Sequence, residues 1–556
     1  MDEQILSIER YGGNRENLIQ IDPAEQVDRK KIKPKKIVLV ASPWVFDDQV
    51  EFRSQQLGLG YVGAYAEKFG HQIAAFIDPM VDGGYRVKAP LNTKYRSTHR
   101  FGHPDSHTVS RIPKDVDVIG LNAPFTDSRL TAYPLIDAIK AAFPNVPLVV
   151  GGVLATTLPR QVLQESRADI VVKGEGEIAF ARIVNGEPLD KIPGVVYRGT
   201  DGVIIENPLR SEQLRTIDSI PPPGYHFRPM DEYVAWSPRG DSGRRTLSLI
   251  SSRGCPFTCE FCSIPEKGQR WRPFTPERII GEIDAAVEKY DINHIEFEDD
   301  NFTLQQERAV PILQHLIALR KKGVPIACSF PNGIMIDRMT EELATLMAGA
   351  GTDIAYLPVE SGDTRVLCSM DKPDALNHLE KTHKVAQFCV EAGLFVSCFF
   401  IVAYPGGTIR LKKHLQPEYE NHLIYDGDDV YMRGEDEESF ENTVNYCKRL
   451  RELGVHGITP LIATPYPGTE LYYLCDKFGW LVFEDNKDVL TTVSYAHMKP
   501  EYIQIETPYC SRERAFSRWQ DMTAMFPAYH NVRRFEDTEN IVMTQEVVQH
   551  EKVASN

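Results

Sequence analysis

The sequence predicts an α/β protein in two successive parts: an N-terminal doubly wound parallel sheet, then a six-repeat partial (βα)6 barrel with a mostly helical C-terminal extension. Two alternations of strand-length apolar runs with helix-period segments carry this reading, one over residues 36–185 and one over 246–464. A third observation separates them. Residues 186–245 are rich in Pro, Gly and Arg, including Pro221-Pro222-Pro223-Gly224, as a linker would be.

Residues 1–35 are polar, mixed in sign and without period, and read as an extended arm. Residues 36–41 then form a short apolar run of the kind a strand buried on both faces gives. Leu57, Leu59, Tyr61, Val62, Tyr65 and Phe69 recur at helical spacing within 55–69, and 71–77 is the second strand. After a polar excursion at 79–114 the pattern resumes with strand 117–121, helix 128–143 and strand 146–150, closed by Gly151-Gly152. Helix 158–165 leads to strand 168–172, which runs into Gly174-Glu175-Gly176-Glu177. Such sheets bind ligands at the carboxyl ends of their strands. The loop at 42–54 and the Gly151-Gly152 turn are therefore the candidate ligand surface. Glycine there serves a tight strand-to-helix turn equally well.

The second alternation opens at strand 246–250. Helices at 276–290, 305–322, 340–350, 374–392 and 436–453 then alternate with strands at 293–297, 325–329, 353–357, 394–401 and 457–462. These are six repeats, against the eight of a closed barrel. Barrel chemistry sits at the carboxyl ends of strands. The second end carries Glu298-Asp299-Asp300-Asn301 and the fourth Glu360-Ser361-Gly362. The fifth ends in Pro405-Gly406-Gly407-Thr408, and the sixth runs from Thr464 to Thr469. The acids of the second end also suit the cap of a helix beginning near Thr303. Residues 409–435 interrupt the passage from the fifth strand to the next helix, and such insertions serve as lids, substrate loops or decoration. In the C-terminal extension, 465–556, Ala515, Phe516, Trp519, Met522 and Phe526 have the spacing of a core-facing helix, and Cys510 is a lone thiol.

The first barrel end carries Cys255, Cys259 and Cys262, and no cysteine precedes them. Thiolates so spaced can converge on one soft centre, and iron–sulfur clusters take sulfur ligands. A zinc knuckle would need a fourth ligand close to Cys262, and no nearby His or Cys supplies it. Three ligands leave one iron of a four-iron cluster open to a small molecule. The net charge of −16 disfavours a nucleic-acid substrate. No apolar run approaches the ~20 residues needed to cross a bilayer, so no membrane partner is expected. The start of the chain has no signal-peptide apolar region, and ten cysteines in 556 residues suit a reducing, cytoplasmic setting.

Cys-x3-Cys-x2-Cys, with Phe261 before the last Cys and a strand before the loop, resembles the signature of the radical S-adenosylmethionine (SAM) superfamily. The run Gln56-Leu57-Gly58-Leu59-Gly60-Tyr61, followed by Gly151-Gly152 and Gly174-Glu175-Gly176-Glu177, resembles the cobalamin-binding domain of one branch of that superfamily. The resemblance implies a [4Fe–4S] cluster on Cys255, Cys259 and Cys262. It places SAM beside Phe261, Glu298, Asp299, Asp300, Glu360 and Ser361, and cobalamin against Leu57, Gly58, Gly151, Gly152 and Glu175. No catalytic residue beyond the cluster ligands is implied.

In that family one SAM methylates cobalamin and a second yields a 5′-deoxyadenosyl radical. The radical takes hydrogen from an unactivated carbon, which then receives the methyl group; some relatives methylate phosphorus. The implied function is thus a cobalamin-dependent methyltransferase acting on a small-molecule biosynthetic intermediate, with an electron donor such as flavodoxin or ferredoxin. Many cobalamin domains carry Asp-x-His-x-x-Gly after the first strand, whereas 42–54 contains no His. The lower face of the corrin would then be open or differently filled. The alternative is a radical oxidoreductase, decarboxylase or cyclase whose N-terminal sheet is non-methylating or vestigial. A methylthiotransferase fits poorly, because the chain has no cysteine before Cys255 and an acidic balance.

Overall fold

The structure, a computed structural model, describes residues 18–19, 22–26, 32–46, 55–81, 88–92, 97–207, 213–235, 244–264, 271–410, 412–482 and 499–526. Five parallel strands form the N-terminal sheet: Lys36–Ala41, Gln72–Ile77, Val118–Asn122, Leu148–Gly151 and Ile170–Val172. Across the sheet they lie in the order second, first, third, fourth, fifth. Winding therefore reverses between the first and third strands, and a crevice opens beyond their carboxyl ends. Ile37 and Leu39 pack under helices Leu57–Lys68 and Glu177–Val184, while Val38 and Val40 pack under Arg129–Ala142 and Pro159–Glu165. Burial on both faces is why this strand reads as an unbroken apolar run.

Within the stretch that reads as a linker, Val195–Arg198 and Ile204–Glu206 pair antiparallel and extend the same sheet at its edge. The polar excursion is partly ordered. Ser97–Phe101 pairs antiparallel with Trp44–Phe46 on one side and Lys88–Asn92 on the other, and Asp105–Ser110 is helical. Short strands with charged residues carry no apolar alternation, which hid them. Within the arm, Leu18–Ile19 pairs with Gln213–Leu214, and Asp22 receives Lys68 at 2.6 Å. The remainder of 42–54, residues 47–54, lies outside the described residues, as does the chain end beyond 526.

The six barrel strands are Thr246–Leu249, His294–Phe297, Ala327–Ser329, Ile354–Glu360, Phe395–Val402 and Gly457–Ile462. They pair in chain order as two runs of three, linked by a bridge between Cys328 and Thr352. Among the described residues the first strand pairs only with the second. Its other edge is met by the side chain of Gln55: Oε1 accepts from the Ser248 amide at 3.0 Å, and Nε2 donates to the Thr246 carbonyl at 2.7 Å.

The helix expected over 374–392 starts later, at His378. Asp371 and Asp374 hold left-handed φ values of 51° and 47° around Pro373, and the turn brings Lys372 to Glu360 at 2.7 Å. The insertion folds as an antiparallel pair, Leu423–Asp426 with Asp429–Arg433, and the second of these strands also pairs with Gly406–Thr408. Helix Arg512–Ala524 packs as core: Trp519 Nε1 donates to the Pro460 carbonyl at 3.2 Å, and buried Arg518 pairs with Glu435 at 3.1 Å. No helix of the described residues is long and apolar enough to cross a membrane.

His378 yields a pH prediction. It is buried, with its Nε2 3.2 Å from the Pro358 carbonyl, and burial aided by Lys372 pulls its pKa from 6.5 down to about 3. The unfolded chain takes up a proton below pH 6.5 that the folded chain refuses, so this residue's contribution to stability is lost as pH falls toward 3. His378→Gln keeps a donor near Pro358 and should lose less melting temperature than wild type between about pH 7.5 and about pH 5. Equal losses would contradict the assignment.

Candidate active site

The cysteine loop leaves the first barrel strand through Ser252–Arg253, which pairs antiparallel with Arg272–Pro273 and steadies the root of the loop. Cys255 is buried and Cys259 and Cys262 are half-buried, close enough for each to feel its neighbours' charge. Burial pushes the Cys255 thiol up to about 12, so a thiolate there needs a cationic centre. Asn301 Nδ2 donates to Cys255 Sγ at 3.0 Å. Among the described residues no three His, Cys, Asp or Glu converge on a point that would hold a single ion. A four-iron cluster binds each thiolate through a different iron, so its ligands stand apart. The donor set fits such a cluster.

Glu260, which sequence reasoning missed, clamps this loop. Its carboxylate accepts from the Thr408 amide at 3.0 Å, its own amide donates to the Met370 carbonyl at 3.0 Å, and its carbonyl accepts from Leu471 at 3.1 Å. A charged residue between the second and third cysteines of the motif was the available signal. Phe261 meets Tyr404 edge-on, with ring centroids 6.4 Å apart.

The three acids of the second strand end separate by role. Asp299 is spent inside the protein, receiving the Ser251 amide at 2.6 Å, Ser251 Oγ at 2.7 Å and Ser252 Oγ at 2.5 Å, with Arg308 3.6 Å away. It buttresses the strand that leads to the cysteines. Glu298 and Asp300 instead border a cavity, and burial beside Asp299 pushes Asp300 up to about 6. Glu360 sits at φ 66° and is paired with Lys372, whose charge also reaches Cys259. Lys372 was missed because its partner is twelve residues away across a turn. Ser361 is fully buried against Thr443 of helix Glu437–Glu452, with 3.3 Å between hydroxyls.

The cavity, of about 390 Å3, lies between the carboxyl ends of the N-terminal sheet and the first two barrel strands. Gly58, Tyr61 and Gly151 border it from one side; Arg253, Glu298 and Asp300 border it from the other. A Cβ on Gly58 or Gly151 would meet nothing within 4 Å, so these glycines hold space open. Gly152 is different. At φ 102° its Cβ would stand 2.3 Å from the Ala123 carbonyl, so it serves the turn. Leu57 packs in the core. Glu175 borders the cavity while pairing with Arg272 and, at 3.7 Å, with Arg253. Burial would raise its carboxyl, but the two guanidinium groups overcome this and hold it below its ordinary range. Arg253 also reaches Glu177 at 2.8 Å and lies over the Tyr61 ring at 4.6 Å. Open space against glycine, walled by the ends of a reversed sheet, fits a large planar ligand.

Comparison with known proteins agrees with this geometry. Residues 43–184 match the B12 binding domain, and residues 249–416 match the radical SAM superfamily. The chain is 31% identical over 372 residues to an uncharacterized methyltransferase of Pyrococcus horikoshii, PH0819, covering 66% of this chain and 71% of the relative. It is 26% identical over 490 residues to the cytidylyl-2-hydroxyethylphosphonate methyltransferase of Streptomyces wedmorensis, covering 83% and 84%. Its fold is similar to that of OxsB, a cobalamin-dependent S-adenosylmethionine radical enzyme solved with aqua-cobalamin bound. That superposition has a TM-score of 0.59 at 16% identity and covers 90% of this chain and 71% of OxsB. The chain belongs to the cobalamin-dependent radical SAM methyltransferase family, and is an enzyme whose cofactors are a [4Fe–4S] cluster, SAM and cobalamin.

Proposed function

We propose that the protein transfers a methyl group to an unactivated carbon of a small-molecule biosynthetic intermediate, with electrons from a flavodoxin or ferredoxin. The observation that supports it is the shared cavity, in which Gly58 and Gly151 face Glu298, Asp300 and the strand leading to Cys255. When bound, the three cofactors supply a 5′-deoxyadenosyl radical and a transferable methyl group. Cys255, Cys259 and Cys262 would hold the cluster. Phe261, Glu298, Asp300 and the Glu360–Lys372 pair would border SAM, since carboxylates there can accept from its ammonium. Asp299 would act through Ser251 and Ser252, and Ser361 through the packing of its strand end on Thr443. Gly58 and Gly151 would receive the corrin, with Leu57, Gly152 and Glu175 fixing the walls. The acidic balance of the chain supports a small substrate over a nucleic acid.

Two variants separate ligand space from turn geometry. Gly151→Leu should weaken cobalamin binding by about tenfold or more at an unchanged melting temperature, because its side chain enters ligand space. Gly152→Ala should lower the melting temperature, because its Cβ meets the Ala123 carbonyl. The functional test supplies methyl-labelled SAM and a reductant to the anaerobic holoenzyme. Label on the corrinoid together with 5′-deoxyadenosine supports methyl transfer. 5′-Deoxyadenosine without labelled corrinoid contradicts it and favours a radical oxidoreductase, decarboxylase or cyclase.

A further inference from the structure

The barrel lumen carries a polar row that the cofactor contacts leave unused. Parallel register sets Ser248 beside Glu296, and Glu296 beside Ser329. Their chain neighbours Leu247, Leu249, Ile295, Phe297 and Cys328 pack in the core shared with the surrounding helices, so strand alternation turns the three polar side chains inward. All three are buried, at 2%, 2% and 5% exposure. Ser248 Oγ and Ser329 Oγ, on either side of the carboxylate, meet no hydrogen-bond partner. Buried hydroxyls in that state call for a polar group to meet them.

One rung nearer the cysteine loop, about 7 Å along the strands, the same face carries Ile250 and Glu298, which border the cavity. One rung below, Thr246 Oγ1 lies 3.2 Å from His294 Nδ1, and His294 Nε2 lies 3.1 Å from Asp353, so the lumen is closed there. The row is therefore a floor beneath the cavity.

The facing wall has the opposite character. Ala355, Leu357, Cys398 and Phe400 pack outward, which turns Tyr356 and Phe399 inward. Their rings stack at 5.0 Å and 4°, and Phe399 is only half-buried.

We propose that these two walls form the substrate subsite: a small molecule presents an ammonium or hydroxyl donor to Glu296 and its flanking serines, and lays an aromatic or alkyl body on Tyr356 and Phe399. This rests on the reading of the barrel as a radical SAM active site. A carboxylate or phosphonate at the polar end is disfavoured, because Glu296 and Glu298 share that wall.

The test uses holoenzyme reconstituted anaerobically with iron, sulfide and cobalamin, loaded with SAM, and titrated with phenethylamine and with 3-phenylpropionate. The two ligands share a ring and differ in the charge of the end group. The amine should bind at least about tenfold more tightly, and Glu296→Gln should remove most of that preference. Ser248→Ala combined with Ser329→Ala should weaken the amine several-fold, and Phe399→Ala should weaken both ligands alike. Equal affinity of the two ligands for wild type, including no binding by either, overturns the subsite. So does a preference unchanged in Glu296→Gln, and if that variant does not fold, an unchanged preference in the double serine variant has the same force. Iron, cobalt and SAM cleavage are measured on the same samples. Missing cofactors overturn the active-site reading, whereas intact cofactors without discrimination overturn the subsite alone.

Discussion

Cys255→Ala should lose most of its iron and cleave SAM at least about a thousandfold more slowly than wild type, since the remaining two thiolates cannot hold a four-iron cluster. Cys255 is the most enclosed of the three and takes the Asn301 hydrogen bond, so its removal also leaves that amide without its acceptor. Cys510→Ala supplies the contrast. Its sulfur lies 3.5 Å from the buried Arg518 guanidinium, among the C-terminal contacts, and its loss should leave iron content unchanged. Iron analysis with the visible absorbance of the reconstituted proteins checks both. Full iron in Cys255→Ala, or lost iron in Cys510→Ala, would contradict the ligand assignment.

The second large effect is expected at the join between the sheet and the barrel. Arg253 is two residues from Cys255, reaches Glu177 at 2.8 Å and Glu175 at 3.7 Å, and covers the Tyr61 ring; the side chains of the two acids are 7% and 12% exposed. Arg253→Met keeps the stem but removes the guanidinium paired with Glu177 and leaves Glu175 with Arg272 alone. Breaking a buried pair in this way costs about 3–5 kcal/mol, because an uncompensated charge stays behind. The melting temperature should fall by several degrees, and cobalamin retention should fall with it, since Arg253 also borders the cavity. Arg253→Met combined with Glu177→Leu should recover part of the stability by removing the stranded charge. A single variant as stable as wild type would show that this join carries little of the contact between the two parts.

What the sequence revealed follows from where information is local. The strand at Lys36–Ala41 was legible because it is buried on both faces, and the cysteine loop because its three cysteines lie within eight residues. Trp44–Phe46, Lys88–Asn92 and Ser97–Phe101 were hidden because short antiparallel strands owe their existence to their partners rather than to their own apolar pattern. At the candidate site, Glu298, Asp299 and Asp300 are adjacent acids with equal claims as letters. Only the alternation at the end of the strand, with Ser251 and Ser252 waiting on one side, turns the middle one away from the cavity. Gly151 and Gly152 are likewise identical in sequence, and differ because only the second approaches the Ala123 carbonyl. Lys372 and Glu260 owe their roles to long-range partners, which no spacing rule reaches.

The central claim is that one cavity lets a corrin held by the N-terminal sheet face a cluster held by the barrel. Metal and corrinoid analysis of a single anaerobically reconstituted sample tests it most directly. The expected result is about four irons and about one cobalt per chain, with cobalt lost and iron kept in Gly151→Leu. Four irons with no cobalt, even when cobalamin is supplied, would contradict it.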